Sequence, residues 1–219
     1  MLMLSEKNEL LRLNITAEEL NAGKLFYNLQ LVNDKNEEIG YCNFVKYNKD
    51  VWGNKRDVVW IYKIEVNDKE NRGKAYGKAL IDVTEYFALT QLSIDRIEGK
   101  FAPNKDWYEK VEKFYLRNNY DIVDIDDWGH YAILKNLDKK IVDEKTGRIT
   151  NRKQEIIERV SSKIIEPPKV KIISLEDKKE QIQKIQVIEK GASLCKTENV
   201  TPSDKLSGGA ESAKKEPCL

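Results

Sequence analysis

The stretch Arg-Gly-Lys-Ala-Tyr-Gly-Lys, which ends at Lys78, has the composition of a loop that binds phosphate. It leads into a helical pattern, and the first N–H groups of a helix lack acceptors and lie at the positive end of its dipole. Arg72 and Lys78 add positive charge beside those donors. The stretch therefore predicts an anion site formed by Arg72, Gly73, Lys74, Ala75, Tyr76, Gly77 and Lys78.

The spacing of the two glycines separates this loop from two common phosphate loops. A Walker loop has four residues between its glycines and a Ser or Thr after its lysine, whereas three residues lie between Gly73 and Gly77, and Ala79 follows Lys78. The dinucleotide fingerprint Gly-x-Gly-x-x-Gly and its acidic ribose ligand are also missing. What remains is another type of phosphate loop or an ordinary surface turn before a helix.

The elements around the loop form a strand–helix–strand unit. Residues 58–66 are rich in branched and aromatic side chains, which is typical of a buried strand. After the loop, an apolar residue recurs every three or four positions from Tyr76 to Phe87, and residues 94–101 again predict a strand. Such a unit is almost always right-handed and parallel. Tyr76 belongs to the apolar stripe and is predicted to be a core residue.

A second pattern follows the strand–helix–strand unit. Pro103 and Asn104 begin a predicted helix that ends in Phe-Tyr-Leu-Arg-Asn-Asn-Tyr, and Asn119 tolerates the left-handed conformation that closes a helix. Together the two patterns resemble the GCN5-related N-acetyltransferase (GNAT) family. The loop is similar to the family's Gln/Arg-x-x-Gly-x-Gly/Ala sequence, with Ala75 where the first glycine stands. The helix end is similar to its Phe-Tyr-Glu-Lys-Leu-Gly-Phe sequence, with Asn119 in place of the glycine.

The resemblance implies an α+β fold with a mixed, mostly antiparallel sheet of six to seven strands flanked by helices. It implies an enzyme that moves an acetyl group from acetyl-coenzyme A (acetyl-CoA) directly to a primary amine in a ternary complex, without a metal. In the family, the central strand and the next strand splay apart, and pantetheine bonds the central main chain, here Ile64, Glu65 and Val66. These N–H groups would also stabilise the tetrahedral intermediate. Tyr115 would protonate the departing thiolate, and Asn104 would contact coenzyme A.

The base that removes the proton of the amine is left open by the sequence. Glu65 on the central strand and Glu98 on the next strand are the candidate carboxylates, and either is also explained as a solvated strand residue. His130, the single histidine, follows Asp-Asp-Trp-Gly in a predicted hairpin turn. An exposed turn histidine is the simpler interpretation of that residue.

Five further segments predict strands: residues 9–15, 24–32, 38–47, 120–125 and 131–137. Between the first two, Thr16-Ala-Glu-Glu resembles a capping box that starts a short helical turn, which Gly23 would end. GNAT proteins usually have one or two helices at this place. The short connection therefore implies an acceptor cleft that is open.

Composition divides the chain into segments. All four Trp, ten Tyr and five Phe precede residue 132, and four of the five Pro follow residue 138. We therefore expect a GNAT-like domain over residues 1–137, a charged linker with candidate amphipathic helices over 138–190, and a disordered tail over 191–219. Apolar residues recur at helical spacing at Ile156, Ile157, Val160 and Ile164, and again at Ile182, Ile185 and Ile188. These thin stripes predict a homodimer contact or another protein partner.

Charge and cysteine content limit the function classes. The formal net charge is +1, with a small acidic excess in residues 1–137, so nucleic-acid binding is not expected. Cys42, Cys195 and Cys218 are too few and too scattered for a disulfide framework or a zinc site. No long apolar run predicts a membrane span, and we expect a cytosolic protein.

Two alternatives to an acetyltransferase for small-molecule or protein amines stay open. The first is a non-catalytic domain that binds coenzyme A, or a scaffold, and presents the tail helices to a partner. The second is a toxin-like enzyme that acetylates the amino group of charged transfer RNA. It would need a basic rim around its cleft, and the acidic excess of the domain counts against it.

Overall fold

The structure is a computed structural model that describes residues 1–5, 9–20, 24–33, 35–67, 69–71, 73–101, 108–125, 131–142, 147 and 149–173. All of them belong to one compact unit, Met1–Leu175. A second unit, Glu176–Leu219, lies outside the described residues, and so do the predicted helix around Ile185 and the predicted disordered tail. No helix in the described ranges has the length and apolar character needed to cross a membrane.

The described unit is built from twelve strands and three α-helices. The strands are β1 (Leu2–Leu4), β2 (Leu10–Glu19), β3 (Leu25–Val32), β4 (Glu38–Lys49), β5 (Lys55–Val66), β6 (Arg96–Phe101), β7 (Asp121–Asp124), β8 (Tyr131–Asn136), β9 (Lys140–Val142), β10 (Ile149–Asn151), β11 (Ile164–Glu166) and β12 (Val170–Ile173). The helices are α1 (Tyr76–Thr90), α2 (Tyr108–Arg117) and α3 (Arg152–Ser161).

Ten of these strands form one sheet in the order β11-β1-β2-β3-β4-β5-β6-β8-β7, with β12 paired to β2. The pairs β5–β6 and β12–β2 are parallel, and the other pairs in this sheet are antiparallel. The predicted mixed, mostly antiparallel sheet flanked by helices is confirmed. The sheet exceeds six to seven strands because β1, β11 and β12 extend it beyond β2.

Strand β2 corrects the prediction of a helical turn after residue 15. Residues Thr16 to Glu19 continue the strand and pair with β3 as far as Glu19 opposite Leu25. The buried side of β2 also continues through Ala17, which is completely covered. Pairing with a neighbouring strand satisfies every second N–H of the segment, and this outweighs the local preference of a capping box.

The core lies between one face of the sheet and the helices. From α1, the side chains of Leu80, Val83 and Phe87 are buried as predicted, and Phe87 packs edge-on against Tyr27 and Phe44. Aromatic clusters of this kind bury much apolar area. Helix α1 is therefore held against the sheet. The predicted anion loop leads directly into this helix.

Helix α3 belongs to the same core, although it lies in the segment predicted to be a linker. Its apolar positions Ile156 and Val160 are almost completely buried and join the core cluster, where α3 contacts α1. Strand β11 joins the main sheet by pairing with β1, and β12 joins it by pairing with β2 from Ile15 to Glu18. The compact unit thus extends past the expected boundary at residue 137, because α1 supplies the apolar surface that the thin stripe of α3 covers.

Candidate functional site

The candidate site begins where β5 and β6 separate. The two parallel strands pair at three positions, Val59 with Ile97, Trp60 with Glu98 and Ile61 with Gly99. Beyond Ile61, β5 remains paired with β4 as far as Val66 but has no partner on its other side among the described residues. This is the splayed strand pair that the family resemblance implies.

Two local features accompany the separation of β5 and β6. The register between β4 and β5 shifts next to Asn43, so that Tyr62 has no residue opposite it in β4. Such a bulge bends a strand and increases its twist. At the last paired position, a Cβ atom on Gly99 would lie 2.8 Å from the carbonyl oxygen of Ile61, so only glycine permits this approach.

The separation opens a cleft of about 540 Å³ with a mostly apolar lining. This volume is typical of small-molecule sites, which measure roughly 300–1,000 Å³. The lining residues are Ile61, Tyr62, Lys63, Ile64, Glu65, Val66, Gly77, Lys100, Phe101, Lys110, Val111, Phe114, Tyr115 and Ile133. They come from β5, α1, β6, α2 and β8, so the cleft depends on elements from across the fold.

The main chain of β5 turns some of its polar groups into the cleft. The N–H of Asn67 donates to the carbonyl oxygen of Ile39 at 2.9 Å, so Asn67 faces β4. Because N–H and C=O groups alternate sides along a strand, Glu65 faces β4 as well, whereas Ile64 and Val66 face the side that β6 has left. Two of the three predicted main-chain residues therefore offer groups to the cleft, and Glu65 reaches it by its side chain.

The predicted anion loop leads directly into α1. Gly73 has a φ of 80° and Ala75 a φ of 64°, so both residues adopt the left-handed conformation. Ala75 is also the N-cap residue, and its side chain makes no capping hydrogen bond. An alanine in this conformation costs about 1–2 kcal/mol. The loop thus keeps a backbone shape that favours glycine, and Arg72 lies outside the described residues.

Gly77 joins the loop to the cleft. A Cβ atom at this position would lie 3.0 Å from a ring carbon of Phe114 and 3.8 Å from a methyl group of Val66. The absence of a side chain therefore lets the first turn of α1 pack closely against α2 and the end of β5. The N-terminus of α1 consequently opens at one end of the cleft.

Two other loop residues have partners within the fold. Tyr76 is buried, as expected of a core residue, and its hydroxyl donates to Glu9 Oε2 at 3.1 Å. The ammonium of Lys78 lies 2.9 Å and 3.0 Å from the two carboxylate oxygens of Asp82, one turn further along α1. Lys74 is half-buried in the loop. Lys78 therefore lies in the first turn of α1 with Asp82 as its counter-ion.

Tyr115, the predicted proton donor, is among the residues that line the cleft. It is largely buried, lines the cleft, and packs against Phe101, Phe114 and Tyr120. Burial raises the pKa of its phenol well above the ordinary value, so the hydroxyl keeps its proton at neutral pH. The end of α2 also follows the prediction, since Asn119 has a φ of 59° and Tyr120 N–H donates to Tyr115 C=O.

Glu65 belongs to a group at the mouth of the cleft. Tyr41 Oη donates to Glu65 Oε2 at 2.7 Å, and Lys63 Nζ lies 2.6 Å from the same oxygen. We call these three residues the cleft-mouth cluster. The side chains of Glu65 and Lys63 are half-exposed, and the hydrogen bond that Lys63 donates to Glu65 raises the pKa of Lys63. Among the lining residues, Glu65 alone carries a carboxylate.

The structure does not bring Glu98, the other predicted carboxylate base, to the cleft. Glu98 is fully buried, lies 2.5 Å from Arg96 Nε and accepts a hydrogen bond from the Val51 N–H at 2.6 Å. These contacts hold the turn between β4 and β5 and leave Glu98 out of the cleft lining. His130 and Asn104 lie outside the described residues.

Three lysines line the cleft without having been predicted. They are Lys63, Lys100 and Lys110, from β5, β6 and α2. The only signal in the sequence was that Lys63 and Lys100 stand at polar positions of strands. The cleft is therefore locally positive although its domain has an acidic excess. No cluster of three or more His, Cys, Asp or Glu side chains suited to a metal occurs in the part of the chain that the structure describes.

Comparison with known proteins finds similarity among solved structures. No family model matches the chain, and no curated protein matches it. An acetyltransferase of the GNAT family from Listeria monocytogenes has 15% identity and a TM-score of 0.38, covering 50% of this chain and 64% of that one. Arabidopsis thaliana NAA60 in complex with a bisubstrate analogue has 13% identity and a TM-score of 0.40, covering 53% of this chain and 77% of that one.

A mutant AtaT toxin bound to the C-terminus of the antitoxin AtaR and acetyl-CoA has 13% identity and a TM-score of 0.40. The match covers 51% of this chain and 67% of the toxin chain. This chain thus spans about two thirds of the length of the Listeria and AtaT proteins. At such identities and TM-scores, the likenesses carry no activity, substrate or partner over to this chain.

Proposed function

We propose that the chain is an N-acetyltransferase that moves an acetyl group from acetyl-CoA to a primary amine in a ternary complex. The observation that supports this most is the free side of β5, where Ile64 and Val66 turn main-chain groups into a cleft that ends at the N-terminus of α1. The N–H and C=O groups along such a strand edge are available to pair with another extended chain. A ligand with amides along its chain and a phosphate at its end would match both features, the amides at the β5 main chain and the phosphate at the N-terminus of α1.

The residues present fit acetyl-CoA. The apolar lining suits the pantetheine arm, and its amides would pair with the main chain of Ile64 and Val66. The pyrophosphate would lie at the first turn of α1, where Gly73, Lys74, Ala75, Tyr76, Gly77 and Lys78 are the predicted ligands together with Arg72. Gly77 supports this arrangement because its missing side chain lets the first turn of α1 lie close to Phe114 and Val66, which line the cleft.

Bound acetyl-CoA would supply a thioester, which is an activated acyl group. Glu65, beside the point where β5 and β6 separate, would accept a proton from the attacking amine, either directly or through water. The N–H groups that β5 turns into the cleft would stabilise the negative charge on the carbonyl oxygen. When the new C–N bond replaces the C–S bond, Tyr115 would give its proton to the departing thiolate.

The charged side chains that line the cleft bear on the class of acceptor. Three lysines against one glutamate in the cleft favour an amine that also carries negative charge, such as an amino acid or a charged transfer RNA. The lysines of the cleft favour the transfer RNA alternative, whereas the acidic excess of residues 1–137 counts against it. The proposed enzyme is cytosolic. Its tail segment would form a contact with the same segment of a second copy.

A screen for thiol release tests the proposed function. The full chain would be incubated with acetyl-CoA and a library of polyamines, amino acids, peptides and aminoacyl-tRNA, with calorimetry of acetyl-CoA alone in parallel. An enzyme should bind acetyl-CoA and release thiol with at least one class of amine. Binding without release for any amine would favour the non-catalytic scaffold, and no binding would reject both.

A further inference from the structure

Four charged side chains from three elements meet at the side of α1. Asp82 and Glu85 come from α1, Lys135 from β8 and Arg159 from α3, and we call them the buried ionic cluster. The side chains of Asp82, Glu85 and Lys135 are at most 5% exposed. Lys135 Nζ lies 2.6 Å from Glu85 Oε1, and Arg159 Nη1 lies 2.6 Å from Asp82 Oδ1. The cluster therefore fixes the late segment of the chain to the helix that begins at the anion loop.

Asp82 connects this cluster to the loop. Its Oδ1 accepts from both Arg159 and Lys78, and its Oδ2 accepts from Lys78. Lys78 lies in the first turn of α1, where the helix dipole disfavours a cation. A lysine at this position would attract an anion bound at the helix N-terminus. In the structure, however, its ammonium contacts Asp82, one turn towards the C-terminal end of α1.

We propose that Arg159 is a positioning residue for acetyl-CoA, because it shares Asp82 with Lys78 and so allows Lys78 to exchange that carboxylate for a phosphate. The inference rests on the proposed function. Without Arg159, the poorly hydrated carboxylate of Asp82 would be neutralised by Lys78 alone. Attraction between opposite charges is strong where water is scarce, so Lys78 would then be held away from the cofactor.

Arg159→Gln tests the inference through two ligands that differ in their phosphates. Calorimetry would measure acetyl-CoA and acetyl-pantetheine, which has the thioester but no phosphate. We expect the affinity for acetyl-CoA to fall about tenfold and that for acetyl-pantetheine to stay unchanged. Arg152→Gln is the matched control. It removes the same charge from the same helix, but Arg152 donates to the Asn136 carbonyl at 3.1 Å and should leave both affinities unchanged.

Two double variants show whether Arg159 acts through Lys78. Adding Asp82→Asn to Arg159→Gln should restore the affinity for acetyl-CoA, because the competing charge is gone. Adding Arg159→Gln to Lys78→Met should cause no further loss. If Arg159→Gln weakens both ligands equally, or if Arg152→Gln has the same effect, the inference is overturned and Arg159 is a structural residue.

Asp82→Asn alone provides a second route if Arg159→Gln fails to fold. Releasing Lys78 should raise the affinity for acetyl-CoA, and an unchanged or lower affinity would overturn the inference. Absence of acetyl-CoA binding by the unsubstituted chain would overturn the proposed function and the inference together. Binding that none of these substitutions alters would overturn the inference alone.

Discussion

The cleft-mouth cluster and the buried ionic cluster use the same chemistry in opposite surroundings. In each, a lysine ammonium lies 2.6 Å from a glutamate oxygen, Lys63 with Glu65 and Lys135 with Glu85. The first pair is about half exposed, whereas the second is at most 5% exposed. Water replaces either partner of the first pair cheaply, but neither partner of the second. The exposed cluster can therefore exchange partners with a substrate, while the buried one holds helices and strands together.

Lys135→Met should break the buried pair with the largest effect. It removes the closer of two cations from the buried Glu85, leaving Arg159 Nη2 at 4.0 Å from Glu85 Oε2, and it removes the donor to the Asn118 carbonyl at 2.7 Å. We therefore expect a loss of about 3–5 kcal/mol in unfolding free energy. Burial already raises the pKa of Glu85. A carboxyl with a raised folded-state pKa loses stability as pH rises, so urea unfolding should show a larger loss at pH 8 than at pH 5.

Lys153→Met is the control for that measurement, because Lys153 is an exposed lysine on α3. Its free energy of unfolding should change little. If the two variants lose equal stability, the contrast between the exposed and the buried pair is not valid.

Tyr115→Phe tests a residue that is buried but faces the cleft. We expect turnover with the best amine from the screen to fall about 100-fold, with the affinity for acetyl-CoA unchanged. Because burial raises the pKa of Tyr115, the loss should be similar at pH 7 and pH 9. Tyr120→Phe removes the same group from a neighbouring ring that does not line the cleft, and should retain turnover. Equal losses would point to packing rather than proton donation.

Glu65→Gln tests the exposed cleft-mouth cluster by removing its carboxylate. We expect roughly a tenfold drop in turnover, since water can still accept the proton at this half-exposed position. The melting temperature should stay the same, because exposed ion pairs contribute little to stability. Glu38→Gln is the matched control, as Glu38 is an exposed carboxylate at the start of β4. A base elsewhere in the cleft would leave the turnover of Glu65→Gln at the level of this control.

Ala75→Gly should have the smallest effect and a stabilising one. Glycine adopts the φ of 64° without the cost that alanine has, but it also gives the unfolded chain more freedom. We expect a net gain of about 0.5–1 kcal/mol in chemical denaturation. Ala79→Gly, the same change inside α1, should instead lose about 1 kcal/mol. A loss at both positions would show that the left-handed Ala75 is not strained.

The sequence by itself determined the parts of the protein that depend on near neighbours in the chain. The stripe from Tyr76 to Phe87 fixed the buried side of α1, and Asn119 marked the end of α2 by its left-handed conformation. The glycine pattern located the turn into α1. Each of these features involves residues a few positions apart, so their geometry follows from backbone preferences and helical spacing.

Tertiary structure alone decided what depends on distant partners. Pairing with β3 kept Thr16 to Glu19 in a strand, and the apolar surface of α1 gave α3 a place in the core. Glu98 is buried in contacts with Arg96 and the Val51 N–H and does not line the cleft, whereas Glu65 does. The sequence showed which side chains were charged or apolar. Which of them would be buried, paired or left facing the cleft depended on elements far away in the chain, because burial and charge pairing are properties of the folded neighbourhood.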